Sequence, residues 1–248
     1  PYYKSLNWYS SWSTQNKITL NLFPGTLLKV NSIINSKESS EYNCALQLLE
    51  NGLLTNYNKG NFLGLNISHS LSSTTFAKIN ISEHTYNYSS NLFEDPMDRR
   101  YVTPDSLFWA HIEGTVPEHI TEQYGDQVLY FPAYSFYRFG VDNRRFQRET
   151  KTRNYKFDFT SQVNKYHQIK IGIDVSEHVL TLDNYSLLDS TQTDKVFDPY
   201  IPEIGSFARS FYEYNPKEFA IFAQDKMEYG DMIINFGVRF ERFDPNAE

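Results

Sequence analysis

An all-β fold assembled from antiparallel hairpins is what this sequence predicts, on three observations. Apolar and polar residues alternate with period two in four pairs of segments, the pattern that sends successive side chains to opposite faces of a strand. Tyr, Phe and Trp together make up 17% of the chain, and such rings favour strands over helices. Short polar turns join the segments of each pair, whereas long links rich in Pro, Asn, Asp and Ser separate one pair from the next.

In chain order, the first hairpin sets Ile18, Leu20 and Leu22 against Lys17, Thr19 and Asn21, then bends at Phe23-Pro24-Gly25-Thr26 into Leu28, Val30 and Ser32. A separate, earlier strand is expected around Leu6 and Trp8. The second hairpin joins Leu63, Leu65 and Ile67 through Leu71-Ser72-Ser73-Thr74 to Ala77, Ile79 and Ile81, whose alternate partners are Lys78, Asn80 and Ser82. In the third, Tyr155, Phe157, Phe159, Ser161 and Val163 oppose Asn154, Lys156, Asp158, Thr160 and Gln162. After a turn at Asn164 to Tyr166 the pattern resumes as Ile169, Ile171, Ile173 and Val175 against Gln168, Lys170, Gly172, Asp174 and Ser176. The fourth runs from Lys217 to Glu228, turns at Gly230-Asp231, and returns with Met232, Ile234, Phe236, Val238 and Phe240 opposite Asn235, Gly237, Arg239 and Glu241. That makes about eight strands, with long links at residues 35 to 60, 90 to 151 and 189 to 215.

Composition narrows the function classes. With 248 residues, 40% of them hydrophobic, the chain is too apolar for intrinsic disorder. A net charge of −7 argues against nucleic acid as a partner, because neutralising phosphates needs clustered Lys and Arg. The single Cys44 excludes an internal disulfide framework and a thiolate zinc site. The longest apolar run, Phe219 to Ala223, is far shorter than the roughly 20 residues a membrane-spanning helix needs. Two all-β arrangements remain open. Lys170, Asp174, Arg239 and Glu241 stand at alternate positions of long strands, which suits the hydrated lumen of an outer-membrane barrel, as do short turns at one end and long loops at the other. A soluble antiparallel sandwich with one solvated face, serving as a surface glycan-binding or adhesion module, satisfies the same alternation.

A resemblance separates the two. The stretch from Asn215-Pro216-Lys217-Glu218-Phe219 through Gln224-Asp225-Lys226-Met227-Glu228, followed by Met232-Ile233-Ile234-Asn235-Phe236-Gly237-Val238-Arg239-Phe240-Glu241 and on to Asn246, resembles a barrel hairpin of TonB-dependent outer-membrane receptors. It looks most like the Bacteroidetes-type branch, whose members often carry a carboxypeptidase-regulatory-like domain. Phe93-Glu94-Asp95-Pro96-Met97-Asp98-Arg99-Arg100-Tyr101-Val102 is similar to the start of an extracellular loop there, and Thr150-Lys151-Thr152 leading into Tyr155 to Val163 fits a further strand. The resemblance spans most of residues 60 to 248. It implies an antiparallel transmembrane barrel segment, about eight strands of a barrel of about 22, with long extracellular loops. It further implies residence in the Gram-negative outer membrane in contact with its lipid. The role implied is non-catalytic uptake of a siderophore, vitamin, glycan or peptide, driven by the TonB–ExbB–ExbD system through a plug domain. The plug, the TonB-contacting box and the signal peptide are expected to lie outside residues 1–248. Against that resemblance, a terminus at Asn246-Ala247-Glu248 in place of a strand with a terminal aromatic is what an interior portion of the barrel is expected to show.

Candidate sites fall in the links. Glu94, Asp95, Asp98 and Asp105 offer oxygen ligands to calcium, although their spacing is not an EF-hand loop and pairing with Arg99 or Arg100 is the plainer expectation. His111, Glu113, Glu118 and His119 lie close together without the His-Glu-x-x-His spacing of a zinc helix. No nucleophile elbow or phosphate-cradling loop is present, so neither an enzyme nor a resident cofactor is expected. The segment 90 to 151 is unusually aromatic, with Phe108, Trp109, Tyr124, Tyr130, Phe131, Tyr134, Phe136 and Tyr137, and aromatic faces bind sugars and flat chelates. Trp109, Tyr130, Tyr134, Tyr137 and Arg138 are therefore the expected ligand contacts. Arg144, Arg145 and Arg148 add positive charge that would draw an anionic chelate.

Overall fold

The computed structural model describes residues 7–47, 52–101, 112–113, 136–137, 141–189 and 199–246. Its strands, in chain order, are β1 (Trp8–Phe23), β2 (Thr26–Ser40), β3 (Thr55–Ser70), β4 (Thr75–Asn91), β5 (Ile112–Glu113), β6 (Phe136–Tyr137) and β7 (Arg144–Gln162). They continue as β8 (His167–Ser186), β9 (Leu188–Asp189), β10 (Pro199–Tyr200), β11 (Arg209–Tyr214), β12 (Lys217–Tyr229) and β13 (Met232–Asp244). One antiparallel sheet in the order β1-β2-β3-β4-β7-β8-β12-β13 carries the fold, and β11 also pairs with β8. β11 and β12 share that partner and are separated by Asn215 and Pro216, where the His178 amide donates to the Pro216 carbonyl at 2.9 Å. They act as one strand interrupted where proline supplies no N–H. Among the described residues no helix is long and apolar enough to cross a membrane, which leaves crossing by strands untouched.

Register turns the alternation of single strands into rows across the whole sheet. One row is Leu20, Leu28, Ile67, Ile79, Phe157, Ile173, Ile221 and Phe240, a large apolar residue from every one of the eight strands. On the opposite face, one rung away, run Thr19, Lys29, Asn66, Asn80, Lys156, Asp174, Ala220 and Glu241. No residue of the apolar row is buried, and Phe240 at its end is 61% exposed. So wide an apolar face is not stable against water. Among the described residues no second sheet packs on it, so the sandwich arrangement is absent.

The apolar band has edges. On β8 it comprises Ile169, Ile171, Ile173 and Val175, between His167 and Glu177. That interval is about 34 Å of strand, or about 24 Å of height at a tilt near 45°, close to the roughly 25 Å apolar band of outer-membrane barrels. Above it the same face carries Asn16, Ser32, Leu63, Glu83, Arg153, Glu177, Lys217 and Asp244 in one row. Below it Tyr166 stacks on Tyr229 at 5.2 Å, in the manner of interfacial aromatic girdles.

The four hairpin turns lie together at this lower end. Two contain glycine with positive φ, Gly25 at 83° and Gly230 at 59°, a conformation that costs glycine little. Three expectations change. Trp8 opens β1 and does not belong to a separate earlier strand, while Leu6 lies outside the described residues. The long links are shorter than expected, since β2 reaches Ser40, β3 starts at Thr55 and β7 starts at Arg144. The third link ends at Arg209, where β11 begins. In these stretches the strands project beyond the apolar band, where nothing demands alternation, and backbone pairing alone extends them.

Candidate functional site

The polar face and the loop end of the sheet are where this fold can meet a solute. On the polar face, cross-strand register places opposite charges side by side: Lys170 Nζ lies 3.6 Å from Asp158 Oδ1, and Lys156 Nζ lies 3.9 Å from Asp174 Oδ2. Hydroxyl and amide groups continue the network. Ser176 Oγ donates to Asn154 Oδ1 at 2.8 Å, the Tyr86 hydroxyl donates to Asn58 Oδ1 at 2.6 Å, and Asn66 Nδ2 donates to Asn80 Oδ1. Thr152 Oγ1 and His178 Nδ1 are 3.0 Å apart. A surface of this kind offers many donors and acceptors to a hydrated solute.

One feature of this face joins the neighbouring strands β8, β12 and β13. A Cβ on Gly172 would lie 2.4 Å from the Phe222 ring, so the ring covers the glycine. Lys170 Nζ stands 5.4 Å and the Arg239 guanidinium 5.8 Å from the ring centroid, within cation–π range. A glycine inside a strand marks such a close approach, the one sequence signal that points here.

At the loop end the links are gathered by a small core of Phe93, Tyr101, Val141 and Leu187, with Leu92, Tyr185 and Ile201 packed against it. Tyr101 and Leu187 are fully buried. Arg145 ties the core together, donating from Nη1 to the Phe93 carbonyl at 2.6 Å and to the Tyr101 hydroxyl at 3.2 Å, and from Nη2 to the Glu94 carbonyl at 2.6 Å. The Leu187 amide donates to the Asn143 carbonyl at 2.9 Å, and Asn143 Nδ2 returns a bond to the Leu187 carbonyl at 2.7 Å. Arg209 forms a two-pronged pair with Asp183, at 2.7 and 2.6 Å, and reaches the Pro202 carbonyl at 3.1 Å. The roots of the second and third links are thus fastened to each other and to β7 and β8.

Of the expected ligand contacts, Trp109, Tyr130, Tyr134 and Arg138 lie outside the described residues, as do Phe108, Tyr124 and Phe131. Tyr137 and Phe136 form β6, which pairs with Ile112 and Glu113 of β5. His111, Glu118, His119 and Asp105 also lie outside the described residues. The acidic segment is accounted for locally. Asp98 accepts from Arg100 Nε at 3.0 Å and Nη2 at 2.7 Å, and Asp95 Oδ1 accepts the Met97 amide at 2.8 Å. The Arg100 guanidinium and amide hold the Asp98 carboxyl down at about 2, and the same pair raises Arg100 further. Among the described residues no three metal-ligating side chains gather. The arginines divide: Arg144 pairs with Asp142 at 2.6 Å and Arg145 fastens the loop core, while Arg148 is exposed on β7. Charge and position in the sequence do not reveal that Arg145 is structural, because its carbonyl partners lie some 50 residues away.

The result is one antiparallel sheet, apolar on one face and polar on the other, with tight turns at one end and fastened long links at the other, and its fold is similar to that of outer-membrane transporter barrels. FpvA from P. aeruginosa, solved bound to heterologous pyoverdines with iron, matches with a TM-score of 0.56 over 95% of this chain at 12% identity. The outer membrane transporter YddB from Escherichia coli matches with a TM-score of 0.58 over 94% of this chain at 9% identity. The chain spans 30% and 27% of those two proteins. No family model matches the chain, and no curated protein matches it.

Proposed function

We propose that these residues form part of the barrel wall of a TonB-dependent outer-membrane receptor of the Bacteroidetes type, within a barrel of about 22 strands. The observation that carries this reading is the row of eight large apolar residues, one per strand, backed by a wholly polar or small row on the other face. Lipid satisfies the first face and a hydrated, plugged lumen the second. The cargo class favoured is a siderophore, since FpvA is bound to an iron pyoverdine. Trp109, Tyr130, Tyr134, Tyr137 and Arg138 are the proposed ligand contacts, carried on a link whose roots are fixed by the Tyr101 core. Energy would come from TonB–ExbB–ExbD acting through a plug.

The test is uptake of 55Fe-loaded pyoverdine and other ferric siderophores in cells with and without the gene, each with and without a protonophore. Energy-dependent uptake lost with the gene is the expected result. Unchanged uptake of every ferric siderophore would replace the cargo class. Recovery of the protein in a soluble fraction would overturn the transporter reading.

A further inference from the structure

Above the level of the apolar band the polar face changes character. Register assembles Lys37, Asn58, Tyr88, Arg148, Leu182 and Tyr212 into one row across β2, β3, β4, β7, β8 and β11. Tyr86 and Tyr214 stand in the row beneath it. The rings are held in place: the Tyr86 hydroxyl donates to Asn58 Oδ1 at 2.6 Å and the Tyr88 hydroxyl to Asn56 Oδ1 at 3.0 Å. Tyr88 also meets Phe146 edge-on at 5.6 Å, and Tyr212 stacks on Tyr214 at 5.2 Å. Arg148 therefore lies between two pairs of tyrosines.

Charge is segregated across the sheet at these levels. From the row of Phe62, His84 and His178 up to the row of Asn56 and Phe146, no Asp or Glu of the described strands stands on the polar face. Glu38, Glu149, Asp183 and Glu213, at the same levels, all stand on the opposite one. The first carboxylate on the polar face, Glu218, comes one row lower, 3.7 Å from His178. A chain of net charge −7 thus keeps its acids off this one area. Lower down, Lys156 and Lys170 have carboxylate partners. Of the arginines that open β7, Arg144 pairs with Asp142 and Arg145 fastens the loop core. Arg148 is exposed and among the described residues has no ion-pair partner, so its guanidinium fork is open to a bidentate oxyanion.

We propose, resting on the receptor reading above, that this upper part of the wall binds the cargo directly and selects for negative charge. Arg148 meets an oxyanion of the solute, Lys37 adds attraction from the same row, and the tyrosines receive its rings. A concave wall lined by one sign of charge focuses its field on such a solute. Two classes of small molecule carry this chemistry, a ferric catecholate and an acidic oligosaccharide.

The test is equilibrium binding to the whole gene product in detergent, with two matched pairs of probes. Ferric enterobactin, an anionic tris-catecholate, is set against ferrichrome, a neutral ferric chelate, and trigalacturonate against neutral maltotriose. In the pair that binds, the anionic member is expected to bind about tenfold more tightly, the worth of one charge-assisted pair. Arg148→Gln removes that advantage and leaves the neutral member unchanged, added salt diminishes it, and Tyr214→Ala weakens both members. Equal affinity within the pair, or an advantage that survives Arg148→Gln, overturns the site even where energy-dependent uptake of a ferric chelate stands. Binding of trigalacturonate but of neither chelate upholds the charge selection and overturns the siderophore class. Binding of none of the four overturns both.

Discussion

Tyr101 is the residue on which the loop end turns. Its ring packs edge-on against Phe93 at a centroid distance of 4.9 Å, and its hydroxyl accepts from the Phe93 amide at 3.1 Å and from Arg145. Tyr101→Ala empties a fully buried site and is expected to cost about 3–5 kcal/mol, whereas Tyr101→Phe leaves the Arg145 and amide donors short of an acceptor and costs about 1–3 kcal/mol. Hydrogen exchange checks both, with amides of 92–101 and Leu187 accelerating while those of the apolar band stay protected. On the polar face, Gly172→Ala drives Phe222 off its seat and brings a methyl to 3.0 Å from the Phe157 carbonyl, for a loss of about 1–3 kcal/mol. A double-mutant cycle with Phe222→Ala is expected to show coupling, because removing the ring relieves most of that clash. Asp98 supplies the pH dependence. Its folded carboxyl titrates near 2 against an ordinary 3.8, so its contribution is fully present above about 4 and is lost as pH falls through about 2. A carboxyl NMR titration is expected to place Asp98 near 2, and Arg100→Ala returns it to the ordinary range. The pairing of Asp98 with a neighbouring arginine is legible in the sequence because the partner is two residues away. The ring over Gly172 is not, because Phe222 is fifty positions distant and only register brings it near.

At the level of strands the alternation predicts each hairpin and each turn, and it assigns faces correctly: Ile169, Ile171 and Ile173 share a face with Phe157 and Phe159, and Lys170 and Asp174 share the other with Asp158. Strand ends were harder to read. Residues 144–151 contain three arginines, a lysine and a glutamate, so no periodicity marks them, yet they pair residue by residue with Val179–Ser186 of β8. Alternation records where a face must be apolar, and above the band that requirement ends. The face assignment makes a sharp prediction. Ile171→Lys and Val238→Lys each put a charge into the middle of the apolar band and are expected to cost about 2–4 kcal/mol of folding into lipid vesicles, while Lys170→Ala, one residue from Ile171 but on the polar face, is mild. Denaturant titrations in vesicles measure the difference, and equal costs would mean that the faces are exchanged.

For the whole molecule the question is closure. β1 pairs only with β2 and β13 only with β12, so the two outermost strands of the sheet each keep one unpaired edge among the described residues. Unpaired edges invite association with other strands, and in hydrocarbon they are not tolerated at all. Two arrangements satisfy them: β1 meets β13 in a small closed barrel, or further strands continue from both edges. A barrel of eight strands has room inside only for its own side chains, yet the polar face here carries Lys156, Lys170, Arg239 and their carboxylate partners together with the Phe222 ring. The sheet also overlays 95% of this chain on only 30% of FpvA. Alternation alone does not distinguish these closures, since every strand reads the same in a small barrel and a large one; the larger barrel is the one proposed above. Leu20 and Phe240 occupy the same row at opposite ends of the sheet. Because a closed barrel is staggered by its shear, the β1 neighbour of Phe240 after closure is displaced along β1 from Leu20. A series of cysteines at Trp8, Ser10, Trp12, Thr14, Asn16, Ile18 and Leu20, tested against Phe240→Cys, therefore reports closure. In a Cys44→Ser background of the whole gene product, every pair of that series is expected to stay reduced under mild oxidation if, as proposed, further strands hold the two edges apart. The control uses cysteines at Ile221 and Phe240, directly paired on β12 and β13, which lie within disulfide reach. Efficient bridging of β1 to β13 would mean that eight strands close on themselves, leaving no room for the wide, plugged lumen that the proposed uptake requires.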